Sequence, residues 1–365
     1  MRMCPAFRWG RTIAFFALLV PVLGSANEPW CLGARVHRGF LWPHRPASWV
    51  LVEGHATGFE LFAEHELHGE QGWQRDYRGP AYGFAFLWAD MDNPRRIGGV
   101  CRLVPYLHLP MVRGERTALG MRLGWGLGHV ARPYDRLANN KQIAIGTRIN
   151  TAIQIMLEGR HRIGRTQLSV GLSIDHWSNG SFKLPNLGLN LLSLNAGASY
   201  ALGQVTPYTV PKDSTVHLPS PRRETTLAGA FGVNETGRPL SGQHSVAVVI
   251  GQVQWRVSPK SSVAVGVDLF NKGSLVALRP ELAGRSRPEL TQLGLHGGYA
   301  LGFGRAELML QMGTYVHTPA PDESAVFHRL GMRYRVARHW IAHLALKSHF
   351  GVADHWEFGF GYRWG

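Results

Sequence analysis

The run Ile143-Ala-Ile-Gly-Thr-Arg-Ile-Asn-Thr-Ala-Ile-Gln-Ile-Met-Leu157 carries the clearest structural signal in the chain. Ile143, Ile145, Ile149, Ile153, Ile155 and Leu157 share one parity, with Thr147 and Thr151 among them. Arg148, Asn150, Gln154 and Glu158 occupy the other. A period of two with one apolar and one charged side describes a strand whose faces meet different surroundings. Soluble sandwiches keep such alternation for about five or six residues. Here it extends from residue 143 to 157, beyond the roughly 9–11 residues that a tilted membrane strand needs.

The same pattern recurs on either side. Leu119, Met121, Leu123, Trp125 and Leu127 alternate with small or polar residues, as do Leu168, Val170, Leu172 and Ile174. Further strands are read at Val246–Ile250, Val263–Leu269, Leu308–Met312 and Trp340–Leu346. The sequence ends on Trp356, Phe358, Phe360, Tyr362 and Trp364, an aromatic-rich strand of the kind that closes outer-membrane barrels, with Gly365 after the usual terminal aromatic. Hydrocarbon offers backbone groups no partner, so a sheet that crosses it must close on itself. Its outer face must be apolar while the lumen can be polar. The expected fold is therefore all-β: a closed antiparallel transmembrane β-barrel of about sixteen strands. Fourteen is the alternative, because alternation is weaker near Gly33–Phe40 and Phe59–Leu67. Tight turns are expected at His161–Arg165, Ser258–Ser261, Leu301–Arg305 and Ala337–His339, and long polar loops at Arg132–Lys141, Asn271–Pro288 and Thr318–Ser324.

Residues 1–26 read as a secretory signal peptide. Arg2, Arg8 and Arg11 precede the apolar run Ile13–Leu23, and Gly24, Ser25 and Ala26 offer a cleavage site. No lipobox surrounds Cys31. The formal charge is +15; removal of the three signal arginines leaves 15 − 3 = +12. An exported basic protein suits an anionic membrane surface, whereas nothing resembles a nucleic-acid-binding module. Cys4 leaves with the signal. Cys31 and Cys101 are expected to stay unpaired, because the strand order puts them toward opposite ends of the barrel.

Gln204–Arg223 breaks the rhythm with Pro207, Pro211, Pro219 and Pro221. The chain thus divides into a first half at 27–203, a Pro-rich linker at 204–223, and C-terminal strands at 224–365 that end in the aromatic signal. The linker either joins two small barrels or interrupts one larger barrel; a single barrel is the expectation.

Chemistry concentrates between two strands, at Asp175-His-Trp-Ser-Asn-Gly-Ser-Phe-Lys-Leu-Pro-Asn-Leu-Gly-Leu-Asn190. His176 and Ser178 continue the lipid-facing parity of Leu168, Val170, Leu172 and Ile174. Asn190 keeps step with Leu192, Leu194, Ala196, Ala198 and Tyr200 on the return strand. Three polar groups gathered on the outer wall, just past an apolar band, suit an enzyme whose substrate is a membrane lipid. A serine hydroxyl becomes nucleophilic when an imidazole takes its proton, and residues i and i+2 of a strand share a face.

This segment resembles the active-site region of the lipid A 3-O-deacylase (PagL) family and its larger relatives, the acyloxyacyl hydrolases. His176, Ser178 and Asn179 match the family's His-x-Ser-Asn, and Pro185, Asn186 and Gly188 match its Pro-Asn-x-Gly at the same separation. The broader similarity runs from Gly39 to Leu202 and takes in Asp92-Asn93-Pro94 and the glycine-rich Leu119–Gly128. The resemblance implies an outer-membrane serine esterase that removes an acyl chain from lipid A of lipopolysaccharide, with no cofactor and no metal. Ser178 would be the nucleophile, His176 the base and Asn190 its orienting partner, with Asn179, Gly180 and Asn186 around the oxyanion. The family's best-known members carry glutamate where this chain has Asn190. An amide can orient imidazole, yet the same exchange in one serine-protease triad lowers turnover by about 10⁴. Asp175 cannot take over, since its parity points into the lumen.

Blander readings stand beside these. Asn179-Gly180-Ser181 is also a plain turn sequence. His65, His68, His108 and His129 lack metal-ligand spacing. Arg95 and Arg96 are solvated loop charges, or contacts to lipid A phosphates if that loop lies outside. The alternative for the whole chain is a non-enzymatic barrel that keeps the motif. A channel draws on the lumen residues Arg148, Asn150, Gln154 and Glu158; a structural or adhesive barrel draws on Asn190.

Overall fold

The computed structural model describes residues 29–206, 208, 223–237, 239–319 and 324–365. The expected signal peptide and most of the Pro-rich linker lie outside the described residues. The strands in chain order are β1 (Trp30–Leu41), β2 (His55–Glu66), β3 (Ala81–Asp90), β4 (Gly99–Arg113), β5 (Thr117–Val130), β6 (Ile149–Ile163), β7 (Thr166–Ser178) and β8 (Leu189–Ala201). A second set follows: β9 (Arg223–Glu235), β10 (Gln243–Arg256), β11 (Ser261–Lys272), β12 (Thr291–Phe303), β13 (Ala306–His317), β14 (Val326–Arg335), β15 (Trp340–His349) and β16 (Val352–Trp364).

These strands form two closed antiparallel barrels, not the single barrel expected from the sequence. The reason is the return of β8 to β1, with Cys31 opposite Ala201 and Leu41 opposite Leu191. Once β8 pairs with β1, the first sheet has no free edge to offer β9. That strand is instead flanked by β10 and by β16, where Leu227 stands opposite Tyr362. Among the described residues the strand total of sixteen holds, and the weakly patterned segments are full strands β1 and β2. Cys31 and Cys101 are both buried and are not joined by a disulfide; they lie near the opposite ends that the strand order implies.

Alternation sorts each strand's side chains. On β7, Leu168, Val170 and Leu172 are exposed outward, Val170 by 64%, while Ser169, Ser173 and Asp175 are buried. An eight-stranded barrel leaves an interior just wide enough for side chains, and the first barrel fills it with ions. Arg35, Arg102, Arg122 and Arg160 meet Glu60, Glu64, Glu158 and Asp175 there, so the charges cancel. Arg102 reaches Glu60 and Asp175 at 2.6 Å each, and Arg160 reaches Glu64 at 2.6 Å. The second barrel does likewise, with Arg329 at 2.7 Å from Glu357 and Lys347 at 2.7 Å from Asp354. A lumen packed this way leaves a channel reading little to work with. Asn150, Gln154 and Glu158 are buried as expected.

The isoleucine-rich run needs one correction. β6 starts at Ile149, so Ile143, Ile145 and Arg148 precede the strand. Residues 131–148 fold over one end of the first barrel. There Ile145 is fully buried and packs with Leu51, Met91, Ile97, Val130, Trp177 and Leu189. Burial in this cap, rather than lipid contact, accounts for Ile143 and Ile145, whereas Ile149 and Ile155 are exposed on β6. Arg148 is exposed and does not face the lumen.

Candidate functional site

The site stands at the capped end of the first barrel, where β7 finishes and β8 begins. Trp177 anchors the strand end. Its indole is fully buried and donates to the Cys101 carbonyl at 3.0 Å. With Trp177 turned inward, the pleat turns its neighbours His176 and Ser178 outward.

His176 pairs in register with Asn190 across β7 and β8. Its Nδ1 lies 2.6 Å from Asn190 Oδ1. An amide oxygen only accepts, so the ring N–H donates and Nε2 is the nitrogen not engaged by Asn190. The amide's other end is also held: Asn190 Nδ2 lies 2.6 Å from His44 Nδ1. The Asn190 backbone carbonyl accepts from Trp42 N–H at 2.8 Å, which fixes the chain leading from β1 to His44. His44 lies outside the strands, and partial burial together with the Arg45 charge lowers its pKa, against a hydrogen bond to the Leu187 backbone. Neutral imidazole is the favoured form.

Gly188 completes the seat of His176. Its φ is +82°, and a Cβ there would stand 2.5 Å from His176 Cε1. Its N–H donates to the Ala144 carbonyl at 2.9 Å, so the cap segment 131–148 holds it in place. Only a residue without a side chain fits both the backbone and the ring.

Ser178 ends β7 on the outward parity, opposite Thr151 of β6, and is buried. Asn179 is buried and donates from Nδ2 to Thr147 Oγ1 at 3.2 Å. Asp175 faces the lumen, fully buried, with Oδ1 on Arg102 Nε at 2.6 Å. It is committed to that cation and stands apart from His176. In the 91–98 segment Arg95 is exposed, while Arg96 lies 3.8 Å from Glu53 and donates to the Val50 carbonyl.

Residues 180–186 group with the second barrel rather than the first. This places Gly180 and Asn186 in a different unit from His176 and Ser178. Within the second unit, Glu235 N–H donates to the Ser181 carbonyl at 2.8 Å, and Leu184 N–H donates to Glu235 Oε2 at 2.6 Å. Ser181 Oγ donates to the Ala353 carbonyl at 2.5 Å, and Gln243 to the Phe182 carbonyl at 3.0 Å. A Cβ on Gly180 would collide with the Trp356 indole.

Strand parity in the sequence brings His176 and Asn190 together, and the barrel does so in space. It gives no hint of His44, which is 146 positions from Asn190 and carries no local signal; only the β1–β8 pairing reveals it. Nor does it show the hold of Glu235 on the connecting segment.

Comparison with known proteins identifies the family. Residues 57–199 match the family model described as lipid A 3-O-deacylase (PagL). Residues 223–365 match that described as acyloxyacyl hydrolase, C-terminal domain. No curated protein matches the sequence. Among solved structures, a de novo designed transmembrane β-barrel is 16% identical over 40% of this chain and 98% of its own, with a TM-score of 0.28. Porin variants of Rhodopseudomonas blastica are 10% identical over 92% of this chain and 99% of theirs, with a TM-score of 0.17. Such low scores carry no weight here. The two family matches do: the chain belongs to the PagL lipid A 3-O-deacylase and acyloxyacyl hydrolase family, with the PagL match in the first barrel and the C-terminal-domain match in the second.

Proposed function

We propose that this chain is an outer-membrane serine esterase that removes an ester-linked acyl chain from lipid A of lipopolysaccharide. The observation that carries the reading is the 2.6 Å contact of His176 Nδ1 with Asn190 Oδ1, made on the outward rows of β7 and β8. A base oriented on the wall of a barrel, beyond a belt of exposed Leu168, Val170, Leu172 and Leu194, suits a substrate whose acyl chains lie alongside. The same belts support an outer-membrane location for the protein.

In this mechanism His176 Nε2 takes the proton of Ser178 as Oγ attacks the ester carbonyl. Donors at Asn179 stabilise the oxyanion. The tetrahedral intermediate collapses, the C–O bond to the sugar or hydroxyacyl oxygen breaks, and His176 returns the proton to that leaving oxygen. Water, activated by the same imidazole, then releases the fatty acid from Ser178. No cofactor enters.

Mass spectrometry of lipid A from cells producing the wild type or Ser178→Ala tests the proposal. The wild type yields lipid A lighter by one acyl chain, and Ser178→Ala leaves it intact. Identical lipid A in both would overturn the esterase reading and leave the non-enzymatic barrel, which the amide at position 190 favours.

A further inference from the structure

We propose that His44 is a positioning residue that selects the working orientation of the Asn190 carboxamide. The inference rests on the esterase reading above.

The two ends of an amide are unlike: Oδ1 only accepts and Nδ2 only donates. With Oδ1 toward His176, the imidazole carries its proton on Nδ1 and leaves Nε2 bare to receive the Ser178 proton. With the amide turned over, Nδ2–H faces Nδ1, which must then accept. The proton moves to Nε2, and the base loses the lone pair it needs. A flip of the carboxamide about its Cβ–Cγ bond thus separates an active from an inactive tautomer.

A carboxylate at this position would need no such selection, because its two oxygens are equivalent. An asparagine does need it. The His44 ring gives its N–H to the Leu187 backbone carbonyl, so its Nδ1, at 2.6 Å from Asn190 Nδ2, presents an acceptor where the turned-over amide would place a second acceptor, its oxygen. Two lone pairs would then oppose each other. The Trp42 N–H bond to the Asn190 carbonyl, at 2.8 Å, fixes where residue 44 begins its approach. The lowered basicity of His44 keeps its ring neutral and able to accept. The run His176–Asn190–His44 is therefore polarised in one direction, each group donating to the next.

The test combines kinetics with a tautomer readout on full-length protein in detergent micelles, using purified lipopolysaccharide. His44→Ala lowers kcat by about 10²-fold, the scale of a misplaced catalytic group, with little change in KM. His44→Gln, whose amide oxygen can accept, restores most of it. In an Asn190→Glu background, adding His44→Ala leaves kcat within about twofold of the single variant. Nitrogen-15 NMR of His176 finds the Nδ1–H tautomer in the wild type and a shift toward Nε2–H in His44→Ala. Equal kcat losses from His44→Ala with and without the Asn190→Glu change, or an unchanged His176 tautomer in His44→Ala, would overturn the proposal. The NMR arm needs no turnover, so it separates failure of this inference from failure of the esterase reading. The latter shows as a wild type no more active than Ser178→Ala.

Discussion

Gly188 sets how accurately His176 can sit, so a single added methyl has a sharp expected effect. In Gly188→Ala that methyl would stand 2.5 Å from His176 Cε1, on a backbone at φ +82°. An L-residue in that left-handed region already costs about 1–2 kcal/mol. The ring must therefore swing away from Asn190. Turnover on lipid A should fall by about 10²-fold, while the barrel keeps its folded mobility on an unheated SDS gel. A folded variant with wild-type turnover would show that the seat is not needed. His176, Ser178 and Asn190 were legible because strand parity is a local property and the motif sits on it. His44 was not, since its proximity to Asn190 is created by Leu41 standing opposite Leu191 when the barrel closes. No window of sequence contains both.

Among the strands, β7 works on both faces at once. Outward it offers His176 and Ser178. Inward it buries Ser173, Asp175 and Trp177. The Asp175 carboxylate lies 2.6 Å from Arg102 Nε and accepts from Ser173 Oγ at 3.3 Å. Asp175→Asn leaves the Arg102 guanidinium short of a counter-charge in a packed lumen. Breaking such a buried pair costs about 3 kcal/mol or more. The expected result is a lower urea midpoint by tryptophan fluorescence, with turnover per folded molecule unchanged. Lost turnover at unaltered stability would instead place Asp175 in the chemistry. Element boundaries were less legible than the elements. The parity of Ile149–Leu157 extends back to Ile143 in sequence, yet Ile145 serves the cap, packed with Leu51 and Ile97. Alternation records that a side chain meets apolar surroundings and not whether those are lipid or protein.

For the protein taken entire, the number of strands could be read from periodicity, but their partition into two barrels could not. Partition depends on which strand pairs with β1, a contact between residues such as Cys31 and Ala201 that no local pattern encodes. The proline-rich stretch marked the seam without revealing that each side closes. The segment 180–186 stands apart from the strands on either side of it. It joins the strand that ends in Ser178 to the strand that carries Asn190, yet it groups with the second barrel. Glu235 is its main hold, accepting from Leu184 N–H at 2.6 Å while its own N–H donates to the Ser181 carbonyl at 2.8 Å. A hydrogen bond to a charged acceptor is worth about 1.5–3 kcal/mol. Glu235→Ala should therefore cut amide-exchange protection across 180–186 by about ten- to a hundredfold, with β12 and β13 unaffected as internal controls. Hydrogen–deuterium exchange with mass spectrometry measures it directly. Protection that survives the loss of the carboxylate would assign the hold to the Ser181–Ala353 and Gln243–Phe182 bonds instead.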